Sequence, residues 1–145
     1  MFFFQVPRLP EKVLATGEFA PLRYTLRNEP MRPGALTNED IERYVEALAR
    51  PGALTAALNY YRALFRQNPL KARALLRRIE APVIVIWGER DRYLRAELAE
   101  PDRSWVPNLR VERLPDASHF VAEDRPGEVN ALLLEFLAAS RGTSN

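Results

Sequence analysis

The sequence predicts an α/β chain, in which a helical segment over residues 1–78 is followed by a β-α-β-α unit of a parallel sheet over residues 79–145. Three observations predict it. Apolar residues before Arg78 recur at helical spacing, Pro82-Val-Ile-Val-Ile-Trp87 is an unbroken β-branched run ended by Gly88, and Leu109-Arg-Val-Glu-Arg-Leu114 alternates in character. A continuous apolar run suits a strand covered on both faces, and an alternating one suits a strand covered on one.

Each element has its own signal. Pro30, Pro33 and Gly34 mark a loop, after which Thr37 and Asp40 have the spacing of a capping box, and Ile41, Tyr44, Val45 and Leu48 share one helix face. Pro51 suits the first turn of the next helix, whose Leu54, Leu58, Tyr61 and Phe65 lie on one side until Asn68-Pro69 breaks it. A third short helix is expected to about Arg78. Beyond the first strand, Arg95 to about Trp105 reads as a crossover helix joining two parallel strands, a connection that is right-handed almost always. Pro126 opens a last helix with a wide apolar stripe of Val129, Leu132, Leu133, Phe136 and Leu137, fading at Gly142.

At 145 residues, 47% hydrophobic and 28% charged, the chain has the size of one ordinary domain and enough apolar content to bury a core, which excludes the disordered class. Its 21 Lys+Arg and 19 Asp+Glu are interleaved along nearly the whole length, whereas a nucleic-acid footprint clusters its cations. The densest basic stretch, Lys71 to Arg78, alternates charge with Ala and Leu as a solvated helix face does, so no nucleic-acid partner is expected. The absence of cysteine excludes disulfides, a thiol nucleophile and a Cys-based metal site. With one histidine as well, no metal and no organic cofactor is implied. The apolar opening, Met1 to Val6, has no basic leader and is cut off by Pro7 and Pro10, and no stretch approaches the roughly 20 apolar residues that span a bilayer. The expectation is a cytoplasmic protein with no membrane partner.

In open α/β sheets the working groups sit just past the carboxyl ends of the strands. Two such loops stand out: Gly88-Glu-Arg-Asp91-Arg92 after the first strand, and Asp116-Ala-Ser-His119-Phe120 after the second. If the strands are parallel neighbours, Asp91 and His119 project from one edge. A carboxylate bonded to one imidazole nitrogen fixes the tautomer and stabilises the imidazolium, leaving the other nitrogen as general base. The bland alternatives are a surface ion pair between Asp91 and its Arg90 or Arg92 neighbours, worth little, and a structural loop role for His119. Asp116 and Glu123 flank the histidine loop and read as solvated.

The segment Trp87-Gly-Glu-Arg-Asp91, followed 28 residues later by His119, resembles the acid and histidine segments of the α/β-hydrolase superfamily. Phe2-Phe-Phe-Gln5-Val-Pro7 and Asn59-Tyr60-Tyr61-Arg62 resemble lid segments of its epoxide hydrolase and haloalkane dehalogenase-like branch. The resemblance covers essentially the whole chain. It implies the C-terminal portion of a hydrolase fold: a helical lid, or cap, over residues 1–78, then the β-α-β-α part of the core over 79–145. It further implies Asp91 as charge-relay acid, His119 as the base that activates water against a covalent ester, and Tyr61 as a lid proton donor to an opening epoxide oxygen. Phe3, Phe4, Tyr60, Trp87 and Phe120 are the implied substrate-binding residues, for a small apolar ester, epoxide or halide-type substrate. Tyr61 lies equally on the apolar stripe of its helix, and Phe2, Phe3 and Phe4 equally suit a role as hydrophobic anchors. The family's second lid tyrosine has no counterpart, since Phe2, Phe3 and Phe4 stand before Gln5.

The family's nucleophile is also missing. None of Gly17, Gly34, Gly52, Gly88, Gly127 and Gly142 starts a Gly-x-(Ser/Asp)-x-Gly elbow, and no His-Gly oxyanion-hole motif is present. The expectation is therefore a C-terminal half that supplies acid and histidine and is inactive without a complementing half. The alternatives are a non-catalytic binding or assembly module and a truncated, inactive remnant. A two-stranded parallel pair is not stable alone and its apolar edge invites pairing, so a homo-oligomer or a complex with an N-terminal hydrolase half is expected.

Overall fold

The structure, a computed structural model, describes residues 2–142. The chain forms two compact units: one holds residues 2–27 and 36–76, and the other holds residues 28–35 and 77–142. Helices α1 (Leu9–Asn28), α2 (Asn38–Ala49), α3 (Ala53–Arg66) and α4 (Pro69–Leu75) precede strand β1 (Val83–Gly88). Strand β2 (Leu109–Leu114) and helices α5 (Val121–Asp124) and α6 (Pro126–Gly142) follow.

In the first unit, α2 starts where the sequence signals it. Thr37 Oγ1 accepts from the Asp40 amide and the Asp40 carboxylate accepts from the Thr37 amide, so both halves of the capping box form. Ile41 and Val45 are buried and Leu48 is half-buried, while Tyr44 on the same stripe remains exposed. Helix α3 begins two residues later than expected. Gly52 takes up a left-handed conformation (φ 80°) at its N-cap, which places Pro51 in the preceding turn rather than in the helix. Asn68 explains the next break: its side chain accepts from the amides of Leu70 and Lys71, which caps α4, and α4 ends at Leu75, short of Arg78. Helix α1 is interrupted at Thr16–Phe19, where Gly17, Glu18 and Phe19 have positive φ, and Pro21 sits just inside the piece that resumes.

The N-terminal segment of this unit is held by one guanidinium. Arg62, only 6% exposed, forms a bidentate pair with Glu11 at 2.7 and 3.0 Å and donates to the carbonyls of Phe4 and Val6 and to Asn59 Oδ1. Every face of the fork has an acceptor, which is what a buried Arg needs.

In the second unit β1 and β2 pair in parallel, with register Val83↔Leu109 through Gly88↔Leu114. Leu114, Ala117 and Val129 form the buried cluster, with Ile86, Val121 and Leu132 packed against it. Three expectations are corrected here. The crossover helix expected over Arg95 to Trp105 is one 3-10 turn, Ala96–Ala99, because Pro101 removes a backbone donor at the point where an α-helix would continue. Strand β1 is half-buried from Val83 to Trp87 rather than covered on both faces, because β2 is its one neighbour among the described residues. Strand β2 does not alternate in burial: its polar residues are half-buried under ion pairs, Arg110 with Glu112 and with Glu135 of α6, and Arg113 with Glu100. The stripe of α6 is only partly used, with Val129 buried, Leu132 and Phe136 half-buried, and Leu133 and Leu137 exposed.

Among the described residues no helix is long and apolar enough to cross a membrane.

The capping box gives a direct check. Thr37→Ala removes the acceptor for the Asp40 amide and should destabilise the protein by about 1 kcal/mol, read as a lowered midpoint in urea unfolding with an unchanged slope.

Candidate active site

The register of the two strands carries their following loops to the same edge of the sheet. Beyond Gly88, the Glu89 amide donates to Leu114 O at 3.0 Å and the Arg90 amide donates to Ala117 O at 2.9 Å, so the turn after β1 lies against the turn after β2. Gly88 makes this approach possible. A Cβ there would overlap the Ser118 carbonyl oxygen and stand 2.5 Å from Ala117 O and 2.7 Å from Ala117 C, so the constraint is space rather than backbone torsion.

The two turns bring Asp91 and His119 together, with His119 Nδ1 2.8 Å from Asp91 Oδ2. The Asp91 carboxylate is 7% exposed and also accepts, through Oδ1, from the amides of Tyr93 at 2.7 Å and Leu94 at 3.0 Å. Burial pushes its pKa up, but the hydrogen bond to His119 and the two amides outweigh burial and hold the carboxyl below the usual Asp value. An ionised carboxylate can only accept, so His119 donates from Nδ1, and in the neutral ring Nε2 is the nitrogen left with a lone pair. The imidazole, 43% exposed, meets Tyr93 and Phe120 edge-on, with ring centroids 5.2 and 5.9 Å away.

His119 opens on a cleft of about 500 Å³ lined by residues 28–31 together with Arg90, Arg92, Tyr93, Ser118 and Phe120. Tyr93 hydrogen-bonds Glu29, and burial, the Glu29 charge and that bond push its phenol pKa up. Neither Tyr93 nor Glu29 is signalled by the sequence, because the segment 28–35 joins this unit only through tertiary contacts.

A second carboxylate also escapes the sequence reading. Asp124, at 2% exposure, accepts from Ser118 N at 2.7 Å, Ser118 Oγ at 2.6 Å and Arg32 N at 2.9 Å. Burial raises its pKa, yet the bonds from Ser118, Arg32 and Met31 bring it below the usual Asp value. Its neighbours differ: Asp116 is exposed and pairs with Arg125, and Glu123 contributes its backbone oxygen to Arg32.

The remaining residues singled out from sequence fall into two groups. Trp87 and Phe120 belong to the second unit, where Phe120 lines the cleft and Trp87 is half-buried in β1 with an indole N–H that finds no acceptor among the described residues. Phe3, Phe4, Tyr60 and Tyr61 belong to the first unit. There Tyr61 is half-buried against Phe4 at 5.2 Å and edge-on to Tyr60 at 5.7 Å, Phe3 meets Phe4 in a tilted pair at 5.9 Å, and Tyr60 is exposed. Among the described residues no group of three His, Cys, Asp or Glu side chains converges to hold a metal ion.

Acid and histidine thus pair past the ends of adjacent parallel strands, and residues 2–132 match the model of the alpha/beta hydrolase family. The chain belongs to that family. Its relatives within it include epoxide hydrolase 4 of Mus musculus, 35% identical over 94% of this chain and 38% of the relative. The AB hydrolase superfamily protein YfhM of Bacillus subtilis (strain 168) is 38% identical over 93% of this chain and 46% of its own length. Among solved structures, a variant of an epoxide hydrolase from Bacillus megaterium superposes with a TM-score of 0.75 at 28% identity, covering 94% of this chain and 50% of that one. The chain thus spans half or less of the length of these relatives, and it is epoxide hydrolase-like in the part it shares with them.

Two outcomes follow from the geometry. Gly88→Ala should cost about 1–3 kcal/mol by overpacking and should part the two turns, which loss of the hydrogen-bonded imidazole proton signal in NMR would register. The acid response has a defined sign. Asp91 and Asp124 are both depressed in the folded state, so the stability they contribute is present above the unfolded carboxyl value, near about 3.9, and is lost as pH falls through their folded values. Melting midpoints measured from pH 7 down to pH 2 should therefore fall steeply at the acid end, and Asp124→Asn should flatten that limb.

Proposed function

We propose that this chain is the lid-bearing, acid-and-base part of an epoxide hydrolase-like enzyme that cleaves small apolar epoxides, esters or carbon–halogen bonds through a covalent ester. The observation that supports this most directly is the 2.8 Å bond between His119 Nδ1 and Asp91 Oδ2 at the mouth of a cleft. In this reading an Asp from outside residues 1–145 attacks an epoxide or carbon–halogen carbon and releases the opened alkoxide or the halide, or a Ser attacks an ester carbonyl and releases the alcohol, and in each case an enzyme ester is left. His119 Nε2 then takes a proton from water, the hydroxide equivalent attacks the ester carbonyl, and Asp91 stabilises the imidazolium while that charge exists. Residues 1–78 act as the lid segment, and Tyr61 donates a proton to the epoxide oxygen as the ring opens, a task suited to a phenol in an apolar setting. Phe3, Phe4, Tyr60, Trp87 and Phe120 supply apolar walls.

The missing nucleophile is supplied by an N-terminal hydrolase half that pairs with the free edge of β1 and covers apolar residues of α6 such as Leu134 and Leu137. Support for this comes from the length of the relatives and from the half-buried state of a strand as apolar as Val83–Trp87. A second reading, a non-catalytic binding module, draws on the lack of an elbow pattern at any glycine.

The test is an assay with a fluorogenic epoxide and a p-nitrophenyl ester, run on this chain alone and on this chain mixed with the N-terminal half of the Bacillus subtilis relative. Turnover should need both. In the active mixture His119→Ala and Asp91→Asn should lower kcat by about 10²–10⁴-fold, and full activity in His119→Ala would refute the assignment. Ligand binding unchanged by both substitutions, with no turnover under any condition, is the result that favours the binding module.

A further inference from the structure

His119 sits in the turn between β2 and α5 with no regular structure of its own, so something must hold a residue of that turn to the tolerance a hydrogen-bonded base requires. Among the described residues the Asp91 bond is the one hydrogen bond shown to a ring that is 43% exposed and otherwise meets only the edges of Tyr93 and Phe120. The backbone on either side of His119, by contrast, is hydrogen-bonded, and besides the helical amides of Glu123 and Asp124 on Phe120 O, one side chain holds both flanks.

The Ser118 amide and hydroxyl both donate to Asp124 Oδ2, at 2.7 and 2.6 Å. With its proton committed to Asp124, Ser118 Oγ is free to accept, and it does so from the Phe120 amide at 3.1 Å. The residues immediately before and after His119 are thus tied to a single buried carboxylate. The other oxygen, Oδ1, accepts from the Arg32 amide at 2.9 Å, and the Met31 backbone adds a further bond. Met31 lines the same cleft as His119. The Arg32 side chain reinforces the link by donating from Nε and from a terminal nitrogen to Glu123 O, at 3.0 and 2.8 Å.

A carboxylate at 2% exposure with no cationic partner in its hydrogen bonds is expensive to bury, and a neutral side chain would be the cheaper solution were packing the only requirement. An amide cannot substitute, because the site presents only donors: three N–H groups and one hydroxyl that needs an acceptor. The site is built for an anion that accepts from two segments at once.

We propose that Asp124 is a positioning residue for His119, a second carboxylate that sets the turn so that the imidazole meets Asp91 and that fixes the Met31 side of the cleft lining to the same anchor. This rests on the acid–histidine reading of Asp91 and His119, and the experiment separates the two. Since His119 is the only histidine in the sequence, its ring nitrogens give an unambiguous ¹⁵N spectrum. The chemical shifts of Nδ1 and Nε2 at a pH where the ring is neutral report which nitrogen carries the proton.

In the unmodified chain the Nδ1–H form should dominate. Asp124→Asn should turn it into a mixture of tautomers, and Ser118→Ala, which removes only the hydroxyl, should shift it part of the way. Thr37→Ala, which loses stability through α2, should leave the spectrum as it was, and this separates positioning from a general loss of stability. A folded Asp124→Asn that keeps the Nδ1–H form, whatever its melting midpoint, overturns the positioning role and leaves the Asp91–His119 pair standing. A mixture already present in the unmodified chain overturns the pair and the positioning role with it. Should Asp124→Asn fail to fold, Ser118→Ala decides: an unshifted tautomer there counts against the proposal.

Discussion

The close approach of two turns at Gly88 is the constraint on which the rest of the second unit depends. Parallel pairing with register Gly88↔Leu114 ends both strands at one level, and the backbone that leaves β1 then passes against the carbonyls of Ala117 and Ser118 with no room for a side chain. Everything chemical follows from that contact. Once the Arg90 amide has bonded to Ala117 O, the next residue is Asp91, and the residue two beyond Ala117 is His119. Their side chains meet because the backbones meet first. An antiparallel pairing, or a register shifted by one residue, would send the two side chains to different edges or faces.

Two carboxylates with different tasks share this small region. Asp91 bonds the imidazole itself, and Asp124 bonds the backbone and hydroxyl around it. Both are held below the usual Asp value although burial pushes each the other way, because the bond from His119 on Asp91, the bond from the Ser118 hydroxyl on Asp124, and the backbone amides aimed at both together offset the loss of water. Amides do this without introducing a mobile cation. A lysine or arginine in their place would compete with the imidazole for the same oxygens, and Arg90 and Arg92, which flank Asp91 in sequence, make no ion pair with it: Arg90 turns instead to the Pro115 carbonyl.

The sequence exposed those parts of this arrangement that are local. A β-branched run, an alternating hexapeptide and a Gly-Glu-Arg-Asp turn are signals carried by neighbours in the chain, and they sufficed to pair Asp91 with His119 and to place α2, β1, β2 and α6 within a few residues. The capping box of α2 was legible for the same reason, both halves lying within four residues. Most of what escaped was decided at a distance. Pro101, inside the span itself, cut an expected helix to a single turn, whereas ion pairs to Glu100 and Glu135 turned an expected alternation over β2 into half-burial. Asp124 lies five residues after His119 in a run of charged side chains, Glu123-Asp124-Arg125, where nothing marks one acid as buried and its neighbours as solvent-facing. Only the return of residues 31 and 32, some ninety positions earlier in the chain, converts it into an anchor.

That return has a bearing on how residues 28–35 are tied to the turn that carries His119. Residues 28–35 are flanked on both sides by helices of the first unit, yet they pack with the second, and their attachment runs through the Arg32 amide, the Arg32 guanidinium and the Met31 backbone to Asp124 and Glu123. The chain therefore enters the second unit at the wall of the cleft and leaves it again before α2. Whatever displaces residues 28–35 must first break hydrogen bonds to the same carboxylate that fixes Ser118, so strain in that segment and order in the histidine turn are linked through one side chain. Packing alone would not couple them in this way, because apolar contacts yield gradually, whereas a buried anion that loses a donor meets the full penalty of an unsatisfied charge.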